Sequence, residues 1–172
     1  MEKGYIQVYT GNGKGKTTAA LGLTLRAAGA GLRVYIAQFM KKGHYSEIRA
    51  LERLSDQVTV EQFGTGRFVL GKPDPEDLEA GRKGLAAAGQ AMLSGEYDMV
   101  VLEEANVAYE SKIISERDLM DFVSAKPDGV ELVLTGRGGA PGVLERADLI
   151  TEMKPVRHYF EQGVGARTGI ES

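Results

Sequence analysis

The chain has 172 residues, no cysteine and a formal net charge of −3, and these properties exclude several classes of protein. A chain of this length buries about two-thirds of its unfolded surface around one core, so we predict a single domain over residues 1–172. The lack of cysteine excludes disulfides, thiolate metal sites, iron–sulfur clusters and cysteine nucleophiles. Charges of both signs are mixed without a basic stripe, which argues against nucleic-acid binding.

The sequence also gives no indication of a membrane protein. No run approaches the roughly 20 apolar residues that a membrane span needs, and the N-terminus leads into the first predicted strand without an apolar signal segment. We therefore expect no membrane association and a cytoplasmic location.

The most informative stretch, residues 5–18, is typical of a strand, a glycine-rich loop and the first turn of a helix. The glycines of this loop are Gly11, Gly13 and Gly15. They allow the backbone to wrap closely around an anion, so that amide N–H groups point at phosphate oxygens. Lys16 adds a positive charge, and Thr17 carries the kind of hydroxyl that ligates Mg²⁺. Thr10 replaces the first glycine of the usual phosphate-loop pattern, but the remaining positions match and predict a nucleotide triphosphate site.

Helices and strands alternate along the rest of the chain. The sequence predicts helices over residues 17–30, 46–54, 75–94, 115–124 and 141–147, and later strands over residues 33–39, 58–63, 98–104, 130–135 and 149–153. In the first helix, Leu21, Leu25 and Ala28 are expected to face the core. This alternation predicts an α/β fold of the P-loop NTPase-like (RecA-like) type, with a mainly parallel sheet flanked by helices.

Chemically useful residues follow several predicted strands, and in such sheets ligands lie beyond the carboxyl ends of the strands. Glu103 and Glu104 end a strand with a continuous apolar run, which indicates burial on both faces. We expect one of them to hold Mg²⁺ together with Thr17, and we prefer Glu104 because adjacent strand residues point to opposite faces. Arg137, between two glycines, is predicted to pair with phosphate oxygens. The alternative in each case is an ordinary solvated side chain.

Other polar residues carry weaker signals. Gln38 and Lys41 follow the second strand, where a functional role and an ordinary strand-end position are equally consistent with the pattern. Spacing alone assigns no role to Arg26. His44 and His158 have no carboxylate partner in the local sequence, so no functional role is predicted for either.

Six segments taken together resemble a known family. They are residues 10–18, 38–41, 100–104, 135–139, 154–158 and 163–166. In this order they resemble the ATP:corrinoid (cob(I)alamin) adenosyltransferases of the CobA/BtuR type. The Asn-Gly-Lys-Gly-Lys loop and the Thr-Gly-Arg-Gly turn are the most specific parts of the resemblance.

The resemblance implies transfer of the 5′-deoxyadenosyl group of ATP to the cobalt of a reduced corrinoid, with release of triphosphate. Lys16, Arg137 and Glu104 would then be catalytic, with Lys14 and Mg²⁺ also stabilising the departing triphosphate. The resemblance makes four further residues candidate nucleotide contacts, namely Asn12, Thr18, Arg26 and Gln38. It also implies a homodimer and a flavoprotein electron donor.

The chain departs from the family at two places. Family members use bulky aromatic residues after the third strand to displace the lower axial ligand of the corrinoid. Here Phe68 is the candidate in that loop, with an ordinary phenylalanine that anchors the loop to the core as the alternative, and the chain contains no tryptophan. Fuller members also carry an N-terminal extension that covers the site, whereas this sequence starts at the first strand, so we expect a dimer partner to cover the corrinoid.

Two other functions remain open at this point. A kinase or ATPase would cleave ATP at the γ-phosphate, with Glu103 as a base. A non-catalytic switch would order its loops around ATP to present a surface to a partner.

Overall fold

The computed structural model of the protein describes residues 2–67, 69 and 71–171, and its central feature is a six-stranded sheet. The strands are β1 (Ile6–Thr10), β2 (Val34–Phe39), β3 (Val58–Phe63), β4 (Met99–Glu103), β5 (Glu131–Thr135) and β6 (Leu149–Glu152). Their order across the sheet is β3-β2-β4-β5-β1-β6, and every neighbouring pair is parallel. This confirms the predicted α/β fold with a parallel sheet.

Helices connect the strands and cover the sheet. The α-helices are α1 (Lys16–Gly29), α2 (Ser46–Leu51), α3 (Pro75–Leu93), α4 (Ala105–Glu110), α5 (Glu116–Ser124) and α6 (Pro141–Arg146), and short 3-10 helices occupy Glu52–Leu54 and Tyr159–Gln162. Helix α3 begins where its sequence predicts. The side chain of Asp74 accepts hydrogen bonds from the backbone amides of Glu76 and Asp77, which caps the helix.

The core lies on both faces of the sheet. Buried residues of α3, α4, α5 and α6 pack on one face, and those of α1 and α2 pack on the other. Strand β4 contributes to both sides, with Val100 and Leu102 in the first cluster and Met99 and Val101 in the second. The continuous apolar run of this strand therefore reflects burial on both faces, as predicted.

One expectation about helix α1 is wrong. Ala28 is buried and Leu21 packs against the core, as predicted, but Leu25 is 61% exposed. Thr24, one position earlier, is buried instead, together with Ala20 and Ala27. The helix therefore packs on the sheet mainly through small side chains, which allow a close approach.

The structure also differs from the predicted elements at two helices. Helix α4 was not predicted, because its six residues follow β4 directly and are too few for a clear apolar period. The predicted helix over 46–54 is α-helical only to Leu51 and continues as a 3-10 helix to Leu54. The other predicted boundaries lie within one or two residues of the observed ones. Within the described part of the chain, no helix combines the length and apolarity needed to cross a membrane.

Candidate functional site

The loop between β1 and α1 has the geometry of a phosphate cradle. Gly11 and Gly15 have φ angles of 99° and 121°, which lie in the region that favours glycine. The amide of Gly13 donates to the carbonyl of Met153, at 2.6 Å, beyond the end of β6. A Cβ at Gly13 would lie 2.7 Å from that same oxygen. The loop is therefore held against the sheet at a position where only glycine fits.

Both lysines of the loop are engaged by groups of the protein itself. Lys16 Nζ donates to the carbonyl oxygens of Gly11 and Gly13, both at 2.8 Å. Lys14 Nζ lies 2.7 Å from Glu171 Oε1 in the C-terminal segment. Burial lowers the pKa of the Lys16 ammonium, and nearby Glu104 partly opposes that change. Phosphate oxygens are chemically suitable acceptors for both ammonium groups.

The end of β4 brings a buried carboxylate to the start of α1. Glu103 is 1% exposed, and its Oε1 accepts from Thr17 Oγ1 at 2.6 Å and from Lys41 Nζ at 3.0 Å. Its Oε2 is buried and has no hydrogen-bond partner among the described residues. Burial alone would lower the pKa of Lys41, but Glu103 and the other nearby carboxylates raise it, so this lysine is charged.

Glu104 lies on the other side of the strand end and faces a cavity. Its φ of 61° places it in the left-handed region, where it turns the chain from β4 into α4. Its backbone amide donates to Thr135 Oγ1 at 3.0 Å. Burial raises the pKa of the Glu104 carboxyl and neighbouring Glu103 raises it further, while Lys41 and other nearby cations lower it.

The turn after β5 presents Arg137 at the same edge of the sheet. Asn106 Nδ2 donates to the carbonyl of Gly136 at 3.3 Å. A Cβ at Gly136, whose φ is 131°, would lie 2.9 Å from both the Cβ of Asn106 and the amide of Val107. Close packing against α4 therefore fixes the turn, and Arg137 is left exposed beside the cavity.

The phosphate loop and these strand ends surround a cavity of about 940 Å³. The predicted site residues that line it are Asn12, Gly13, Lys14, Gly15, Lys16, Thr17, Thr18, Lys41, Glu104 and Arg137. Four of the five charged side chains in this set are cationic, which suits a polyphosphate.

Four predicted site residues are not part of this lining. Arg26 is ten residues beyond Lys16 on α1, a distance of about 15 Å along the helix. Gln38 is fully buried and accepts from Gln62 Nε2 at 3.0 Å. Glu103 is buried, and Gly11 packs closely against the backbone of Met153. The contacts predicted for Arg26 and Gln38 remain predictions, and Phe68 lies outside the described residues.

The cavity also contains residues that the sequence did not single out. Tyr45 and His158 line it, together with the C-terminal residues Gly169, Ile170 and Glu171. Tyr159 donates to the Glu171 carboxylate that also binds Lys14. Of these residues, only His158 lies in a segment that resembles the family, 154–158. The contact between Lys14 and Glu171 spans 157 positions, and such a contact leaves no local pattern in the sequence.

Comparison with known proteins gives a consistent family. The family described as "ATP:corrinoid adenosyltransferase BtuR/CobO/CobP" matches residues 2–172. A corrinoid adenosyltransferase of Pseudomonas aeruginosa is 32% identical, over 99% of this chain and 84% of its own. That of Escherichia coli strain K12 is 34% identical, and corrinoid adenosyltransferase CobA of Salmonella typhimurium is 35% identical, each over 99% of this chain and 86% of its own.

The chain belongs to the ATP:corrinoid adenosyltransferase family. This membership confirms the family, the fold class and the enzyme class predicted from the phosphate loop and the later segments. Its substrates are accordingly ATP and a corrinoid.

The residues around Thr17 fit a magnesium ion. Mg²⁺ prefers oxygen ligands, and it is commonly held by one or two carboxylates together with substrate phosphates. The unpartnered Oε2 of Glu103 and the hydroxyl of Thr17 are oxygens of this kind. Among the described residues there is no group of three or more His, Asp or Glu able to form a complete protein cage.

Proposed function

We propose that this chain transfers the 5′-deoxyadenosyl group of ATP to the cobalt of a reduced corrinoid through the cavity beyond the phosphate loop. The observation that carries this proposal is the convergence of Lys14, Lys16 and Arg137 on one cavity next to a buried carboxylate. Three cations around one space are suited to a triphosphate that must leave as a unit.

The transfer needs little chemistry from the protein. The electron pair of cobalt(I) attacks C5′ of the ribose and forms the cobalt–carbon bond. The bond between C5′ and the phosphate oxygen breaks, and its electron pair leaves with the triphosphate, so that cobalt becomes formally cobalt(III). Because cobalt(I) is itself a strong nucleophile, the protein has to hold C5′ in line with cobalt and stabilise the leaving charge.

We propose distinct tasks for the residues of the cavity. Lys16 and the loop amides bind the triphosphate, and Lys14 and Arg137 add charge at its two sides. The burial of the cradle against Met153 supports a rigid loop. Rigid donors need no reorganisation when the leaving group acquires charge.

We propose Mg²⁺ as the metal partner of ATP, with Thr17 and one of the two carboxylates at the end of β4 holding it. Bound there, the ion supplies positive charge to the triphosphate oxygens. Glu103 is closer to Thr17, whereas Glu104 is closer to the open cavity. Both geometries are compatible with the predicted metal role of Glu104 and Glu103.

We also propose the wider setting that the family resemblance implies. Residues 1–172 would form one P-loop nucleotide-binding domain that acts as a homodimer in the cytoplasm. A flavoprotein would deliver the electron that reduces the corrinoid. Size-exclusion chromatography with light scattering tests the dimer, and a monomer under assay conditions would contradict it.

Product analysis tests the reaction directly. The full chain is incubated anaerobically with ATP, Mg²⁺ and chemically reduced cobalamin, and the absorption spectrum is followed. We expect the spectrum of an alkylcobalt product and one triphosphate for each adenosyl group transferred. Formation of ADP would instead indicate cleavage at the γ-phosphate, and tight ATP binding without any product would indicate a switch.

A further inference from the structure

We propose that Lys41 occupies the place of the divalent cation in the nucleotide-free protein and turns to the triphosphate when magnesium and ATP bind. This inference rests on the proposed function, because it concerns the same metal and the same leaving group. It assigns Lys41 the role of coupling the arrival of the metal to the binding of the nucleotide.

The first observation is that Lys41 shares an acceptor with the phosphate-loop threonine. Its Nζ lies 3.0 Å from Glu103 Oε1, and Thr17 Oγ1 donates to this same oxygen at 2.6 Å. A magnesium ion held by Thr17 and either oxygen of Glu103 would share this carboxylate with the ammonium of Lys41. The two cations would therefore compete for Glu103.

The second observation is the burial of the carboxylate. The side chain of Glu103 is 1% exposed and that of Lys41 is 19% exposed. A carboxylate this deeply buried is unfavourable unless a cation accompanies it. Lys41 supplies one positive charge while the metal is absent, and a divalent ion would make that charge redundant and repel it.

The third observation is that the Lys41 side chain has other contacts besides Glu103. The chain leaves β2 through Met40, whose φ of 59° turns Lys41 into the cavity wall. Its Nζ is 5.2 Å from the ring centre of Tyr45 and 4.0 Å from Glu47 Oε1. A rotation of this flexible side chain away from Glu103 keeps it near an aromatic face and brings it toward the space for the phosphates.

Binding of Mn²⁺ to the nucleotide-free full chain tests the first half of the proposal. Mn²⁺ takes the same oxygen ligands as Mg²⁺. Electron paramagnetic resonance measures the fraction of Mn²⁺ that is not bound to the protein. We expect Lys41→Met to bind Mn²⁺ at least about tenfold more tightly than wild type, a difference of about 1.4 kcal/mol. Lys41→Arg keeps the charge and should resemble wild type.

Lys42→Met is the matched control, because Lys42 is the next residue, lines the same cavity and is exposed. It should leave Mn²⁺ binding unchanged. The double variant Lys41→Met with Glu103→Gln should lose the gain. Equal tightening by Lys41→Met and Lys42→Met would overturn the proposal, because the effect would then be general electrostatic attraction. No tightening by Lys41→Met would also overturn it.

The coupling between metal and nucleotide tests the second half. A fluorescent ATP analogue is titrated with and without Mg²⁺, and the ratio of the two dissociation constants measures the coupling. We expect this ratio to be smaller in Lys41→Met than in wild type and in Lys42→Met. An unchanged ratio would overturn the role of Lys41 in coupling.

A substitute variant and measurements that need no turnover allow the two proposals to be tested separately. If Lys41→Met does not fold, judged by circular dichroism, Lys41→Gln takes its place with the same expectations. The measurements need no corrinoid and no turnover. If adenosyl transfer fails but the Lys41 variants change metal and nucleotide binding as expected, only the proposed function is refuted. If adenosyl transfer succeeds but these binding changes are missing, only the role of Lys41 is refuted.

Discussion

At the scale of single residues, three cations of the site contact acceptors of the protein itself. Lys14 contacts Glu171, Lys16 contacts two loop carbonyls and Lys41 contacts Glu103. We expect each lysine to exchange an internal acceptor for a phosphate oxygen when the triphosphate binds. The affinity for the triphosphate would then depend on the difference between the two acceptors and not on the number of cations present.

Lys16→Ala should lower the rate of adenosyl transfer by roughly 10²–10³-fold, the usual effect of removing one donor from a developing negative charge. The lysine lines the cavity where we propose that the triphosphate binds, so its loss would remove positive charge from the leaving group. Single-turnover kinetics with reduced cobalamin measures the effect. Lys83→Ala, on the exposed side of α3, is the control, and near-normal turnover of Lys16→Ala would contradict the assignment.

The two carboxylates at the end of β4 should differ in their effect on magnesium. We expect Glu104→Gln to raise the Mg²⁺ concentration needed for half-maximal activity, because its carboxyl faces the open cavity. The measurement is a Mg²⁺ titration of initial rates for Glu104→Gln and Glu103→Gln side by side. An unchanged requirement in Glu104→Gln with a raised one in Glu103→Gln would move the metal role to Glu103.

At the scale of elements, the C-terminal segment closes one side of the site. Tyr159 begins a 3-10 helix whose chain returns over the phosphate loop, and Glu171 receives hydrogen bonds from Lys14, Tyr159 and Arg167. These donors hold the pKa of the Glu171 carboxyl far below its usual range, with Arg167 contributing most. The segment thus presents an internal carboxylate to Lys14, which we propose as a contact of the triphosphate.

Glu171→Gln should therefore tighten ATP binding, because Lys14 loses a competing anion. The gain should not exceed severalfold, since exposed ion pairs contribute little. Equilibrium binding of ATP at low ionic strength measures the change. Glu161→Gln, in the same segment and exposed, is the control. Weaker ATP binding in Glu171→Gln would show that the carboxylate supports the site and does not compete with the nucleotide.

At the scale of the whole molecule, the site is expected to reduce stability at neutral pH. Burial holds the pKa of Glu104 above its ordinary value of 4.5. The folded protein therefore binds more protons than the unfolded chain between the two pKa values. In that window the free energy of unfolding falls as the pH rises, and above it the loss is complete.

Glu104→Gln should remove the loss of folding stability that accompanies the ionisation of Glu104. Relative to wild type, the free energy of unfolding of the variant should increase from about pH 4 to about pH 7, the range in which a carboxyl with a raised pKa ionises. Urea unfolding of both proteins at the two pH values measures the difference. Glu110→Gln, an exposed carboxyl on α4, is the control. A difference that does not grow with pH would contradict the burial argument.

Local features of the fold could be predicted from the sequence. The strand, the glycine loop and the start of α1 follow from residues that are adjacent in the chain, and the cap at Asp74 depends on its next three residues. The apolar run before Glu103 indicated a central strand, because a strand that is buried on both faces needs apolar side chains on both faces. Family membership followed from the order of such local segments.

Tertiary structure alone decided how these segments meet. Helical spacing fits both Leu25 and Thr24 as the core position of α1, and only packing on the sheet selected the smaller residue. Likewise, strand alternation predicted that Glu103 and Glu104 point to different sides, but only the structure shows that Glu103 contacts Thr17 and that Glu104 lines the cavity. The contact between Lys14 and Glu171 joins residues 157 positions apart. Sequence patterns report the conformation of neighbours, whereas such contacts depend on how the completed sheet and helices bring distant residues together.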